Sequence, residues 1–177
     1  YKNTTMKLTF DFKDGNYDLW LMRASELRNT LHGKRMRVVL GKDDFFYEGR
    51  VSVNTEKLNR RYSSVEITVN RDPYKLELYS SLENWLWDSF NFETGIVRNY
   101  KDLQVKGNLE VIIPGRTMRV IPVFDCSEEM TVSYNGIIYN LLKGKSKSPD
   151  LLLGEGDNTL IFTGNGTVSV DYRGGSL

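Results

Sequence analysis

One histidine, His32, and one cysteine, Cys126, bound the chemistry open to this chain. A Ser or Cys nucleophile needs a base within hydrogen-bond reach, held in turn by a third group. His32 stands beside Gly33, Lys34 and Arg35 at what reads as a helix end, where the dipole favours cations, so it is expected as a capping residue and not a base. Cys126 lies in Asp-Cys-Ser, flanked by acid that discourages a thiolate, and is expected as an inert or buried thiol. One His and one Cys also leave zinc without its usual nitrogen and sulfur ligands. Asp11, Asp14, Asn16 and Asp18 gather four oxygen-bearing side chains, but the glycine and terminal glutamate of an EF-hand loop are missing, and helix capping accounts for them.

Carboxylate pairs that could flank a glycosidic bond are Asp125 with Glu128 and Glu129, or Asp43 with Asp44; acids in such loops read as solvent-facing. No G-x-S-x-G, Walker A or dinucleotide fingerprint occurs, and Gly154, Gly156, Gly164 and Gly166 read as hairpin glycines. The chain is therefore expected to hold no catalytic residue, no metal and no cofactor, and not to be an enzyme. Sugar binding without catalysis is the competing function, with Tyr134, Tyr139 and Tyr172 as the candidate aromatic platform.

The bulk numbers agree with a structural or binding role. The 24 Lys and Arg nearly balance the 23 Asp and Glu, so no global field favours a polyanion, and direct nucleic-acid recognition is not expected. The short basic runs Asn59-Arg60-Arg61 and Lys143 to Lys147 read as solvated loops. No stretch approaches a membrane-spanning length and the opening YKNTTMKLTF has no signal-peptide pattern, so a soluble protein folded in the cytoplasm is expected. The chain opens almost directly on a strand and without Met, which points to residues upstream of Tyr1.

The elements that would carry these residues divide into two halves, 1–80 and 81–177. In the first, Met6, Leu8, Phe10 and Phe12 alternate with polar residues, the period of a strand with one buried face. Asp14-Gly15-Asn16 is a turn, Asp18 a plausible N-cap, and Trp20, Ala24, Leu27 and Leu31 one helical stripe stopped by Gly33. Residues 35–53 read as a hairpin turning at Gly41 to Asp44, and Val65, Ile67 and Val69 as a further strand ending at Asp72-Pro73.

In the second half, Leu109, Val111 and Ile113 alternate into a Pro114-Gly115 turn, and Met118 and Val120 form a strand ended by Pro122. Met130 to Tyr134 and Ile137 to Leu142 flank Asn135-Gly136, expected as a type I′ hairpin, and Gly164 to Gly166 separate a strand at Leu160 and Phe162 from one at Val168 to Tyr172. The fold class is all-β with one α-helix: an N-terminal β-sandwich or barrel, then an antiparallel β-sandwich.

Between the halves lies Asp72 to Gly95, where Trp85, Trp87, Phe90 and Phe92 are expected to pack one domain on the other. Asp-Pro-Tyr-Lys at 72–75, W-L-W-D-S-F-N-F-E-T-G at 85–95 and Y-R-G-G-S-L at 172–177 together resemble the distal tail proteins of long-tailed siphophages and related prophages. The resemblance implies a tail-tube type N-terminal domain that closes into a hexameric ring, and a galectin-like C-terminal sandwich. It further implies a virion structural protein, made in the bacterial host cytoplasm and placed in the virion tail. Such a protein is a baseplate hub joining the tail tube protein to the tail-tip protein and to receptor-binding components. Galectins bind galactose with a histidine and a tryptophan on the sheet, and past Trp87 this chain has neither. Phe45, Phe46 and Tyr47 are the expected ring contacts, because three consecutive aromatics cannot all face one core. The alternative is a carbohydrate-binding two-domain adhesin.

Overall fold

The computed structural model describes residues 2–13, 15–41, 44–59, 61–83 and 99–177. Among the described residues the chain is all-β with one helix, its strands in two antiparallel sheets, and it divides into two compact units. Unit 1 holds Tyr1–Val39 and Phe46–Pro73; unit 2 holds Leu40–Phe45 and Tyr74–Leu177. The junction residues Trp85, Trp87, Phe90 and Phe92 lie outside the described residues.

Unit 1 contains β1 (Thr4–Lys13), α1 (Tyr17–Leu31), β2 (Arg35–Val39) and most of β3 (Phe45–Lys57) and β4 (Tyr62–Glu77), in the sheet order β1-β4-β3-β2. The helix forms where the apolar stripe predicts: Ala24 is buried, and Leu27 and Leu31 pack on the core of Val51, Val53, Val65 and Val69. Its cap is Asn16, not the expected Asp18, because Asn16 Oδ1 accepts the N–H groups of Asp18 and Leu19 at 3.0 and 3.2 Å. Gly33, at φ +80, stops the helix as expected. The hairpin of β2 and β3 forms, Val38 facing Tyr47 across it.

Two expectations for this half fail. Strand β4 continues through Pro73 to Glu77. The pairing of β4 with β1 ends at Arg71, and its pairing with β11 (Gly175–Ser176) begins at Lys75, so on that edge Pro73 fills a gap where no N–H is called for. And Phe10 and Phe12 do not reach the core: each is 47 % exposed, while Met6 and Leu8 are half-buried.

Unit 2 is built on the sixteen-residue β10 (Gly156–Asp171). One edge of β10 pairs with β5 (Leu103–Gly115) from Gly156 to Val168. Its other edge is shared: β7 (Met130–Tyr134) takes Ile161 to Thr163, and β6 (Val123–Cys126) takes Val168 to Asp171. The sheet therefore branches, into β7 with β8 (Ile137–Leu141) and into β6 with β9 (Gly144–Ser146). Phe124, Val132, Leu160, Phe162, Val168 and their neighbours form one core between the branches. The Asn135-Gly136 turn is as expected, both residues at positive φ (52° and 78°).

The expected hairpin at Gly164 to Gly166 does not exist, because β10 runs straight through it. These glycines span the gap between the β7 and β6 pairings, where Ser127 to Met130 cross over. A Cβ at Gly164 would stand 2.7 Å from Met130 Cβ, and one at Gly166 would stand 2.6 Å from Ser127 Oγ. Pro114 and Gly115 likewise do not turn the chain but close β5 opposite Asp157 and Gly156. In place of the expected strand at Met118 and Val120 there is a single bridge, Val120 to Leu153.

Candidate interaction surfaces

The expected chemical residues are placed in structural roles. His32 caps as expected, but as an acceptor: its Nδ1 takes the N–H of Val53 at 3.0 Å, which fixes the tautomer with the proton on Nε2 and ties the helix end to β3. Cys126 is buried, and desolvation first, then the charge of Asp125, pushes its thiol up to about 11, a poor nucleophile at neutral pH. Asn16 spends its oxygen on the helix cap, Asp14 and Asp43 lie outside the described residues, and among the described residues no three His, Cys, Asp or Glu come together. Glu128 is exposed and pairs with Lys143 at 2.9 Å, and Asp125 and Glu129 face solvent. Asn59 Oδ1 accepts the N–H groups of Arg61 and Tyr62, so this basic run is a turn device.

The tyrosine platform also turns inward. Tyr172 is buried, its ring 5.9 Å from that of Tyr100 and its hydroxyl donating to Pro114 O at 3.2 Å. Tyr134 packs against the core and donates to Asn158 Oδ1 at 2.7 Å; Tyr139 packs there as well. Asn158 is itself buried, with Nδ2 2.9–3.0 Å from the carbonyl oxygens of Ile113, Gly154 and Gly156. That network pins the 154–157 segment.

Phe45, Phe46 and Tyr47 are brought onto one strand but largely covered. Phe46 is 1 % exposed beneath the Arg37 guanidinium, Phe45 lies under Lys75 and Arg116, and the half-buried Tyr47 lies under Arg71.

The surface that is open in unit 1 is different. Among the described residues β1 pairs only with β4, so one side of a ten-residue strand is free at the sheet edge. Phe10 and Phe12 lie on the helix-bearing face of that edge, opposite Val65 and Ser63. Beside them an apolar cleft of about 200 Å³ opens between sheet and helix, lined by Phe12, Trp20, Ala24, Leu27 and Val65 with Lys13 and Arg23 at its rim. Tyr17 and Leu21 of α1 are also exposed, and by helical spacing lie toward the side of Trp20. The helix covers the sheet core at Leu27 and Leu31 but leaves the far end of β1 open.

No family model matches the chain, and no curated protein matches it. The sequence signal for the β1 edge was present but misassigned: four apolar residues alternate through β1, and of these Met6 packs on the core. Among the described residues no helix is long and apolar enough to cross a membrane.

Proposed function

We propose that the chain is a structural subunit of a long-tailed phage or prophage, a distal tail protein whose copies form a hexameric hub between the tail tube and the tail tip. In this reading unit 1 is the tail-tube type, ring-forming part, and unit 2 is the galectin-like sandwich that docks tail-tip or receptor-binding components. The chemistry is assembly, without a catalytic residue or a bound cofactor. The observation that carries the proposal is the β1 edge: a ten-residue open strand with two half-exposed phenylalanines beside an apolar cleft. A lone domain normally protects such an edge, and a closed ring buries it against a neighbour. The order of the motifs at 72–75, 85–95 and 172–177 supports the same reading.

The β1 edge, more than the covered Phe45 to Tyr47 run, is the contact to test. The wild-type chain should have a native mass six times the 20.4 kDa protomer by light scattering. A Phe10→Lys/Phe12→Lys variant should be monomeric with unchanged circular dichroism. A wild type that stays monomeric, or a double variant that still assembles, would overturn the proposed contact.

A further inference from the structure

We infer that Asn135 is a site of spontaneous covalent modification: its side-chain amide is lost as ammonia through a cyclic imide with the Gly136 nitrogen, and water opens the imide to aspartate and isoaspartate. The inference is independent of the hub reading. Both residues are exposed, and they form the turn between β7 and β8, outside both strands. Among the described residues neither the Asn135 side chain nor the Gly136 N–H makes a hydrogen bond. Gly136 has no Cβ, and nothing lies within 4 Å of where one would be, so its nitrogen is open to approach. In the first step that nitrogen bonds to Asn135 Cγ as its proton passes to water; the Cγ–Nδ2 bond then breaks and ammonia leaves. Water adding at Cγ gives aspartate. Adding at the Asn135 backbone carbonyl carbon, it gives isoaspartate, with the main chain rerouted through Cβ and Cγ.

The turn reaches the reactive geometry by a single peptide flip. Asn135 at φ 52° and Gly136 at φ 78° make the type I′ form. Ring closure needs the Gly136 nitrogen eclipsed with Asn135 Cβ, a ψ of about −120°, which is the ψ of the first central residue of a type II′ turn. Rotating the 135–136 peptide plane converts I′ to II′: Asn135 keeps its positive φ, which asparagine tolerates, and Gly136 moves to a φ of about −80°, which glycine reaches freely. The pair Tyr134 and Ile137 is untouched, so the hairpin stays closed. A second Asn-Gly stands at 165–166, and there the fold forbids the step. Asn165 lies within β10 opposite Lys106, and its Oδ1 accepts the N–H of Gly107 at 3.2 Å. A strand ψ of about +135° turns the following nitrogen away from Cβ. The two products at 135 differ in consequence. Aspartate keeps the turn, since Asp-Gly also takes the I′ form, and puts the first charge on the stretch from Met130 to Leu142. Isoaspartate adds a methylene to a two-residue loop and upsets the match of Tyr134 with Ile137, loosening the core residues Met130 and Leu141 of the same hairpin.

The wild-type chain carries its own control, because both Asn-Gly pairs share the same attacking residue. Folded protein is incubated at mildly alkaline pH, where the attacking nitrogen loses its proton more readily, beside the same chain in guanidinium chloride. Incubation runs until both sites of the unfolded chain hold isoaspartate. Trypsin places Asn135 in fragment 120–143 and Asn165 in fragment 148–173, and mass spectrometry locates the change at each asparagine. In the folded chain isoaspartate should accumulate at Asn135 and stay at its starting level at Asn165, a difference that is lost in guanidinium. A folded chain unmodified at Asn135, or one modified as fast at Asn165, would overturn the inference.

Discussion

The Nδ1 of His32 accepts the backbone N–H of Val53 at 3.0 Å, joining the last turn of the only helix among the described residues to the middle of β3. Val53 is buried, so the bond satisfies a donor that is largely shielded from water. His32→Ala should cost about 1–3 kcal/mol of unit 1 stability by leaving that N–H unpaired. Urea unfolding followed by circular dichroism measures it, and an unchanged midpoint would show the bond to be unimportant.

In unit 2 the Arg116 guanidinium pairs with Glu77, whose other oxygen accepts the N–H of Gly174 at 2.8 Å. Both side chains are largely buried, and Arg173 binds the carbonyls of Glu77 and Leu78. The C-terminal strand is thereby fastened to the end of β4. Arg116→Met removes the cation that pairs with the largely buried Glu77 carboxylate and should lower stability by about 3–5 kcal/mol. Glu77→Gln with Arg116→Met together should cost less than Arg116→Met alone. Paired denaturation curves decide this, and simple additivity would contradict a coupled pair.

Cys126 gives the pH dependence. With its folded value raised to about 11, above the ordinary thiol value, the folded state holds the proton longer than the unfolded chain does. Its contribution to stability is full below the unfolded value and is lost as pH rises through the folded one, by at most about 2–3 kcal/mol. Cys126→Ala should therefore flatten the fall of stability between about pH 9 and 11. At neutral pH the native thiol should resist a disulfide reagent and react only on unfolding; fast labelling of native protein would contradict the burial.

Gly164 tests the branched sheet. Alanine there meets Met130 Cβ at 2.7 Å and a φ of +153°, and should destabilise unit 2 by more than about 2 kcal/mol. Alanine at Gly136 meets a φ of +78° without any close neighbour and should cost about 1 kcal/mol. Thermal melts of the two variants check the order.

Where local chemistry settles the structure, the sequence showed it. Asn135-Gly136 turns the chain because two adjacent residues take positive φ there, and the Trp20 to Leu31 stripe makes a helix by spacing alone. Where a residue serves a gap between strands that arrive from elsewhere, it did not. Pro73 reads locally as a strand end and Gly164 as a turn, yet both lie inside long strands where one partner leaves and another begins. The interaction surface was half legible for a related reason. Alternation placed Phe10 and Phe12 on the core face, but how far the helix reaches along that face is a tertiary fact. The tyrosines of unit 2 alternate like surface residues, and only the positions of Asn158 and Pro114 show their hydroxyls to be engaged inside.

The central claim is ring assembly through unit 1. Its most direct measurement is negative-stain imaging of the wild-type chain at micromolar concentration, with the native mass of the same sample taken by light scattering. The account predicts six-fold rings with a central hole and a mass six times the 20.4 kDa protomer. Single particles without a hole, at the mass of one chain across the whole concentration range, would contradict it.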